Sequence, residues 1–359
     1  MTDLVKRNNV DLFVEILKDP DRKSMLRIFY EFFYLLIIYR EVPKHYFSRF
    51  LFKNGVSNIR DYLPNKFLGK KVTPYFNDKK FRELLDNKLY FGLFYGQFGI
   101  CLPKTLMYNH NRIFVAGKKC IEVNTVHDFY ALLEEIFSQN PSIDSIIVKK
   151  TYASSSGKKI YKIFLSQFRS DHEIINEIYS EVIKSEFLFQ ETIRQHPDLN
   201  RLNSSSINTV RIDTFINKDG KIDTISAHLR MSTNNIHVDN IDAGGCFVSI
   251  NLQTGQLKKF GYSAIKTHGV IVRKQHPVTG TSFENFTIPF FNEVKELVKE
   301  AAGLMPGLRL VGWDVAIGES GPVLVEGNSD YEIRGNDFAD GGYLANKTFR
   351  KVLQELNYL

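Results

Sequence analysis

The run VGWDVAIGESGPVLVEGNSDY, Val311–Tyr331, sets Asp314, Glu326 and Asn328 among Val, Ile and Leu. Ionised groups beside a core are costly unless they are paired or bound to metal. LVGWDVAI and PVLVEGN read as two strands joined by a short turn that holds Gly318 and Gly321. A three-residue loop, Glu319–Ser320–Gly321, would use Gly321 at the left-handed position such loops require. That register sets Asp314 across the ladder from Glu326 on one face, and the period of two adds Asn328 to the same face. A change of one residue in loop length breaks this parity. Two carboxylates and an amide, without His or Cys, form the hard-oxygen set that suits Mg²⁺, an ion that normally completes its shell with substrate phosphates. The competing reading is a solvated edge hairpin.

IIVKKTYASSSGKKI adds Lys149 and Lys150 at the end of an apolar strand, ahead of a loop with Ser154, Ser155, Ser156 and Gly157. Backbone N–H groups and hydroxyls in such a loop can cradle phosphate oxygens, and a strand-end lysine adds a point charge. The order GxxxxGK[ST] of a P-loop is absent, and a strand follows instead of a helix. Alternation along the strand leaves open which lysine points inward. Arg211 in NTVRIDTFI and Arg230 in SAHLRM occur in apolar strand contexts. Val210, Ile212 and Thr214 share one face, which leaves Arg211 with Asp213 on the other. Beside a nucleotide such guanidiniums stabilise phosphoryl charge; otherwise they form an Arg–Asp pair facing solvent. VDNIDAGG supplies Asp239 and Asn240 with Gly244 and Gly245, a polar loop open to close backbone approach.

The elements that must position these groups come from a chain of 359 residues, 43% hydrophobic, long enough for two or three subdomains. Residues 1–100 hold 18 Lys/Arg against 11 Asp/Glu, whereas the rest holds 29 of each, so the basic surplus is N-terminal. Such asymmetry points to an anionic partner. Three unpatterned cysteines, Cys101, Cys120 and Cys246, fit a reducing, cytoplasmic setting, and the scattered histidines do not form a zinc site. RIFYEFFYLLIIYR, Arg27–Arg40, is too short to span a bilayer and is interrupted by Glu31, so it reads as a buried helix. The following REVPKHYFSRFLFK is basic and aromatic enough to rest on an anionic membrane face. No RNA-binding signature accompanies it, and no nucleic acid is expected.

The pattern predicts an α+β protein in four blocks. Residues 1–75 form a basic, aromatic-rich helical extension, and 76–135 a block opening with the helical run FRELLDNKLYFGLFYGQFG. Residues 136–204 carry the phosphate loop, a helix with Ile174, Ile175, Ile178 and Val182 on one face, and the strand FLFQETI. Residues 205–359 are strand-rich, with VRIDTFI, DTISAHLRM, GCFVSIN and the acidic hairpin, plus the helix FNEVKELVKEAAGL.

Taken in order, these pieces resemble the ATP-grasp superfamily of carboxylate–amine ligases from about residue 86 to 330. DNKLYFGLFYGQFGICLPKTL resembles its segment in which a lysine, here Lys88, contacts nucleotide phosphate. IIVKK resembles its phosphate-lysine strand, with Lys149 at the lysine position, and FLFQETIRQH its adenine hinge, here Gln190, Glu191, Thr192 and Ile193. NTVRI, HLRM and DNIDAGG resemble the arginine, arginine and Asn-x-x-x-Gly-Gly elements, and the hairpin resembles the Mg²⁺ signature. SSSINTVRI, SAHLRMSTNN, HPVTG and VGWDVAI…GPVLVEGN are closest to the sugar-transfer-associated ATP-grasp proteins.

The resemblance implies an ATP-grasp fold, two α+β subdomains gripping ATP after a pre-grasp segment. It implies ATP and Mg²⁺ as cofactors, two ions in the usual case, with Mn²⁺ as a substitute. It implies activation of a carboxylate as an acylphosphate and attack by an amine, in bacterial surface polysaccharide biosynthesis. Asp314, Glu326 and Asn328 would hold the metal, Arg211 and Arg230 the acid, and His237, Asp239, Asn240, Gly244, Gly245 and Arg334 the acceptor. The partners would be a carboxylate-bearing sugar or small acid and an amine or amino acid, at the inner face of the cytoplasmic membrane if residues 1–75 dock there. A grasp-type kinase and a non-catalytic nucleotide-binding module are the competing functions.

Overall fold

The computed structural model describes residues 16–152, 160–170, 172–233, 245–265, 269–331 and 333–357. Helix α1, Met25–Tyr39, starts where the Ser24 hydroxyl accepts from the Arg27 amide and stops at Arg40, whose φ of 51° is left-handed. It buries Ile28, Glu31 and Leu35 beside Tyr46, Leu51, Phe52 and Ile59. Glu31, which breaks the apolar run in sequence, is the anchor of this face. Its carboxylate accepts from Lys23 Nζ at 2.7 Å, Arg27 Nε at 2.6 Å and the Tyr46 hydroxyl at 2.8 Å. The expectation of a buried helix therefore holds on one side only, because Leu26, Tyr30, Phe33 and Ile37 stay exposed on the other. No helix among the described residues is long and apolar enough to cross a membrane.

The basic aromatic segment REVPKHYFSRFLFK is largely folded inward, contrary to its reading as a surface: Tyr46, Arg49, Leu51 and Phe52 are buried. Arg49 Nε pairs with Asp337 at 2.8 Å, both side chains nearly inaccessible. Residues 65–76 form a helix with a π turn across Leu68–Val72. Phe67, Leu68, Val72 and Phe76 share a core with the C-terminal Tyr343, Phe349 and Val352. Residues 16–75 are thus built into the fold.

FRELLDNKLYFGLFYGQFG, expected as one helix, is two: α2, Lys79–Asp86, and α3, Lys88–Gly96. Asn87 is extended, with φ −100° and ψ 110°, and its side-chain oxygen accepts from the amides of Leu89 and Tyr90. An asparagine cap of this kind starts a helix where it stands, and it leaves Lys88 as the first residue of α3.

Six strands form the first sheet: β1 Thr105–His110, β2 Ile113–Ala116, β3 Lys119–Glu122, β4 Ser145–Lys150, β5 Ile160–Phe164 and β6 Glu186–Glu191, in the order β3-β2-β1-β6-β4-β5. Helices α4, Val126–Gln139, and α5, His172–Val182, cover one face, with Leu132, Ile136, Ile175 and Ile178 against Ile146, Val148, Phe187 and Phe189. Seven strands form the second: β7 Thr209–Ile216, β8 Ile222–Met231, β9 Cys246–Ile250, β10 Leu257–Ile265, β11 Gly269–Arg273, β12 Leu310–Gly318 and β13 Gly321–Asn328, in the order β11-β10-β9-β8-β7-β12-β13. Helix α6, Phe291–Gly303, packs Val294, Val298 and Ala301 against Ile212, Leu229, Val248, Trp313 and Val315 on one face. The helices α7, Arg334–Asp340, and α8, Lys347–Glu355, complete this half.

The division at residue 135 does not survive. β1 pairs with β6 and α4 joins the core of β4–β6, so 105–191 is one sheet with its helices. Helices α2 and α3 instead give Leu85, Phe91 and Tyr95 to the core of the second sheet. Local patterning detects strands and helices, whereas which strand pairs with a distant one is decided by tertiary contacts.

Candidate nucleotide and metal site

The β12–β13 ladder pairs Asp314 with Glu326 and Gly312 with Asn328. The register agrees with the sequence reading, but its construction differs. The turn has two residues, Glu319 and Ser320, with Gly318 opposite Gly321 and Gly321 at φ 135°. Alone, that turn would set Asp314 opposite Val325. A bulge between the pairs Val315–Leu324 and Asp314–Glu326 absorbs Val325 and restores the pairing.

The row continues across the sheet. Arg211 on β7 is the Cα partner of Asp314, and His228 on β8 is the partner of Arg211. These side chains lie on the face opposite α6, because their neighbours Val210, Ile212, Leu229, Trp313 and Val315 fill the core. Arg211 donates from Nε and one terminal nitrogen to the two Asp314 oxygens, each at 2.7 Å. Arg230 reaches the same carboxylate at 3.2 and 3.4 Å, and the Asn328 side-chain amide donates to it at 3.5 Å. The pair expected between Arg211 and Asp213 is not formed: Asp213 accepts from Ser226 at 2.6 Å, Asn336 at 2.8 Å and Tyr343 at 3.2 Å. Between these two acids the chain must stay thin. A Cβ on Gly312 would meet Asp213 Oδ1 and Tyr331 Cγ at 3.0 Å.

The lysines arrive from outside the second sheet, Lys88 from the start of α3 and Lys149 from β4. Lys88 Nζ lies 3.2 Å from Glu326, and the Lys88 amide donates to the Thr151 carbonyl at 2.7 Å, tying the start of α3 to the end of β4. On β4, Ile146 and Val148 face the core of the first sheet, so Lys149 faces away from it. Lys150 instead lies over the Phe187 ring, 5.9 Å from its centroid. The ambiguity between the two lysines is resolved in favour of Lys149 as the one turned to the acids.

Electrostatics follow from this crowding. Burial, and then the Lys88 charge, bring the Lys149 ammonium down to about 8, with Glu326 opposing. Burial disfavours ionised Asp314, but Arg211 and Arg230 outweigh it and hold the carboxyl well below the usual range. Burial, with Arg211 and Arg230 alongside, brings His228 down to about 3, so its imidazole is neutral. Four cations, Lys88, Lys149, Arg211 and Arg230, face two carboxylates. No group of three or more His, Cys, Asp and Glu suited to a metal occurs among the described residues. Asp314, Glu326 and Asn328, on one face of the β12–β13 ladder, are oxygen donors of the kind that could hold a hard cation arriving with further oxygen ligands of its own.

The hinge is separate. The Gln190 amide donates to the Pro103 carbonyl at 3.3 Å, Glu191 accepts from the Lys104 amide at 3.0 Å, and Thr192 accepts from Ser145 at 3.0 Å. Glu191, Thr192 and Ile193 line a cavity of about 970 Å³, together with the β12–β13 turn and Glu293 and Glu296 of α6. That cavity opens on the α6 side of the second sheet, behind the face that carries Asp314. A smaller cavity of about 370 Å³ adjoins His228 and is lined by Ser226, Ser249, Asn251, Lys258 and Asn336. Its residues were not singled out in the sequence, although His228 and Arg230 in SAHLRM already share a strand face. Gly245 is buried just ahead of β9, and Arg334 opens α7. Ser154, Ser155, Ser156, Gly157, His237, Asp239, Asn240 and Gly244 lie outside the described residues.

Residues 69–352 match the sugar-transfer associated ATP-grasp family. The chain belongs to that family. Its solved structural relatives include the ADP complex of an N5-carboxyaminoimidazole ribonucleotide synthetase, with TM-score 0.42 and 10% identity over 73% of this chain and 50% of the other. They also include D-cycloserine synthetase, with TM-score 0.43 and 13% identity over 76% and 70%. D-alanyl-alanine synthetase A from Vibrio cholerae gives TM-score 0.44 and 14% identity over 76% and 66%. The chain thus spans half the length of the first of these relatives and about two thirds of the others. No curated protein matches it in sequence.

Proposed function

We propose that this ATP-grasp protein is an ATP-dependent ligase that joins a carboxylate to an amine and releases ADP and phosphate. The observation that carries the reading is the charge of the cleft. Lys88 at the start of α3, Lys149 on β4, and Arg211 and Arg230 on the second sheet converge on Asp314 and Glu326, and among these six groups the cations outnumber the acids by two. A surplus of that size favours a polyanion.

Lys88 and Lys149, compact and strongly charged, suit phosphate oxygens. Asp314, Glu326 and Asn328 would hold Mg²⁺, whose chemistry is to neutralise phosphate charge as the phosphoryl group moves. Arg211 holds Asp314 ionised and in place. Arg230 Nε is buried with no partner among the described residues, a donor available to a substrate carboxylate. The hinge at Gln190–Ile193 would take the adenine on the face of the first sheet that Gln190 shares with Lys149, away from the cavity beside α6, and Ser154–Gly157 would exclude water from the activated acid.

The 370 Å³ cavity would receive the acceptor. Its wall is His228, two strand spacings from Asp314, or about 10 Å. A neutral imidazole donates from one nitrogen and accepts at the other. With Ser249, Asn251 and Asn336, and with Lys258 and Asp340 adding one charge of each sign, it forms a hydrogen-bonding lining suited to hydroxyl and amide groups. The family description supports a sugar-derived substrate and a place beside bacterial surface polysaccharide assembly.

The test is a panel of sugar acids and amines incubated with the protein, ATP and Mg²⁺, with ADP, phosphate and product mass measured. Release of both, dependent on acid and amine together, with a condensed product, supports the ligase. A phosphorylated product without free phosphate makes the chain a kinase, and absence of any turnover makes it a binding module.

A further inference from the structure

Helix α1 carries an apolar stripe that nothing among the described residues covers. Leu26, Tyr30, Phe33 and Ile37 recur at spacings of four, three and four, one line along three turns. They are 85%, 64%, 54% and 75% exposed, and Phe29 and Val42 extend the patch. An ordinary surface helix turns its apolar stripe to the core and its charges to water. This one packs Ile28 and Leu35 into the core yet turns a second apolar stripe to water, and its single acid, Glu31, is on the buried face, neutralised by Lys23 and Arg27.

Charge identifies the occupant. The exposed side of α1 holds no carboxylate, and residues 16–62, which form the body beneath it, hold nine Lys/Arg against five Asp/Glu. The whole formal surplus of the chain lies in residues 1–100. An apolar and aromatic stripe beside cations is the arrangement that binds the headgroup region of an anionic bilayer, where apolar burial and charge attraction add. We infer that α1 docks the protein on an anionic membrane surface through Leu26, Tyr30, Phe33 and Ile37, lying parallel to the bilayer. The inference does not depend on the ligase reading.

The docking helix is mechanically joined to the site. The core beneath α1 is pinned to α7 through the buried Arg49–Asp337 pair, and Asp337 follows Asn336, which lines the cavity beside His228. Docking through α1 therefore places that cavity in the body held at the membrane.

The experiment is flotation of the full-length protein with vesicles of phosphatidylcholine alone and with added phosphatidylglycerol, at low and at high salt. Wild type is expected to float with the anionic vesicles, less so at high salt. The variant Leu26→Ser/Phe33→Ser/Ile37→Ser, changed only at exposed positions, is expected to lose partitioning by about tenfold or more. Its circular dichroism and ATP binding should match wild type. No flotation by wild type, or equal flotation by the variant, overturns the inference. So does a dimer in solution that becomes a monomer in the variant without vesicle binding, which would assign the stripe to a second copy of the chain.

Discussion

Arg211 and Asp314, Cα partners on adjacent strands, share two parallel hydrogen bonds of 2.7 Å. Both side chains are almost fully shielded from water. The pair fixes and neutralises the carboxylate proposed to head the metal-ligand set.

Breaking such a pair from one side leaves a buried charge without its partner. Arg211→Ala is expected to destabilise the protein by about 3–5 kcal/mol in urea unfolding. Arg211→Lys should recover only part of this, because a single ammonium cannot reproduce the fork.

The pH dependence has a definite sign. Asp314 is held below its unfolded value, so its contribution is complete above about pH 4, the unfolded carboxyl range, and is lost as pH falls through the folded value. The stability gap between wild type and Asp314→Asn should stay constant from neutral pH down to about pH 5 and shrink below about pH 4. A gap unchanged in acid would show that Asp314 does not carry that charge.

Lys149, brought down to about 8, is part-neutral in mildly alkaline solution. A polyphosphate beside it favours the ammonium, so nucleotide binding near pH 8 should take up protons. Calorimetry in buffers of different ionisation enthalpy reads this uptake directly. Lys149→Met should abolish it, and Lys150→Met should leave it unchanged.

The cavity beside His228 predicts a selective defect. Ser249→Val removes a hydroxyl from its wall, and the KM for the acceptor should rise about tenfold or more, as expected for a lost buried hydrogen bond. The KM for ATP should not change, because Ser249 is three strands from Asp314.

Much of the site was legible because strand alternation is local. VGWDVAI and PVLVEGN imply one polar face, and NTVRI and HLRM place two arginines on strand faces. The bulge at Val325 was not legible. A three-residue turn and a two-residue turn plus bulge set the same pair opposite each other, and only backbone geometry separates them. The choice between Lys149 and Lys150 needed the core partner of β4. Sequence alternation offered Asp213 as an alternative partner of Arg211, whereas β12, a hundred residues later, supplies the acid that pairs with it. The outward face of α1 escaped notice because an apolar run says nothing about which side finds a core.

The most direct measurement is Mg²⁺-dependent ATP binding to wild type and to Glu326→Ala by titration calorimetry. Glu326 is half-exposed and bonded to Lys88 at 3.2 Å, so its removal spares the fold and deletes one carboxylate of the metal set. Wild type should bind Mg-ATP and show no comparable binding of Mg²⁺ alone, and the variant should lose affinity by about tenfold to a hundredfold, as for a metal ligand. Unaltered Mg-ATP affinity in the variant, or tight Mg²⁺ binding without nucleotide, would contradict the assignment of this face to a metal–nucleotide complex.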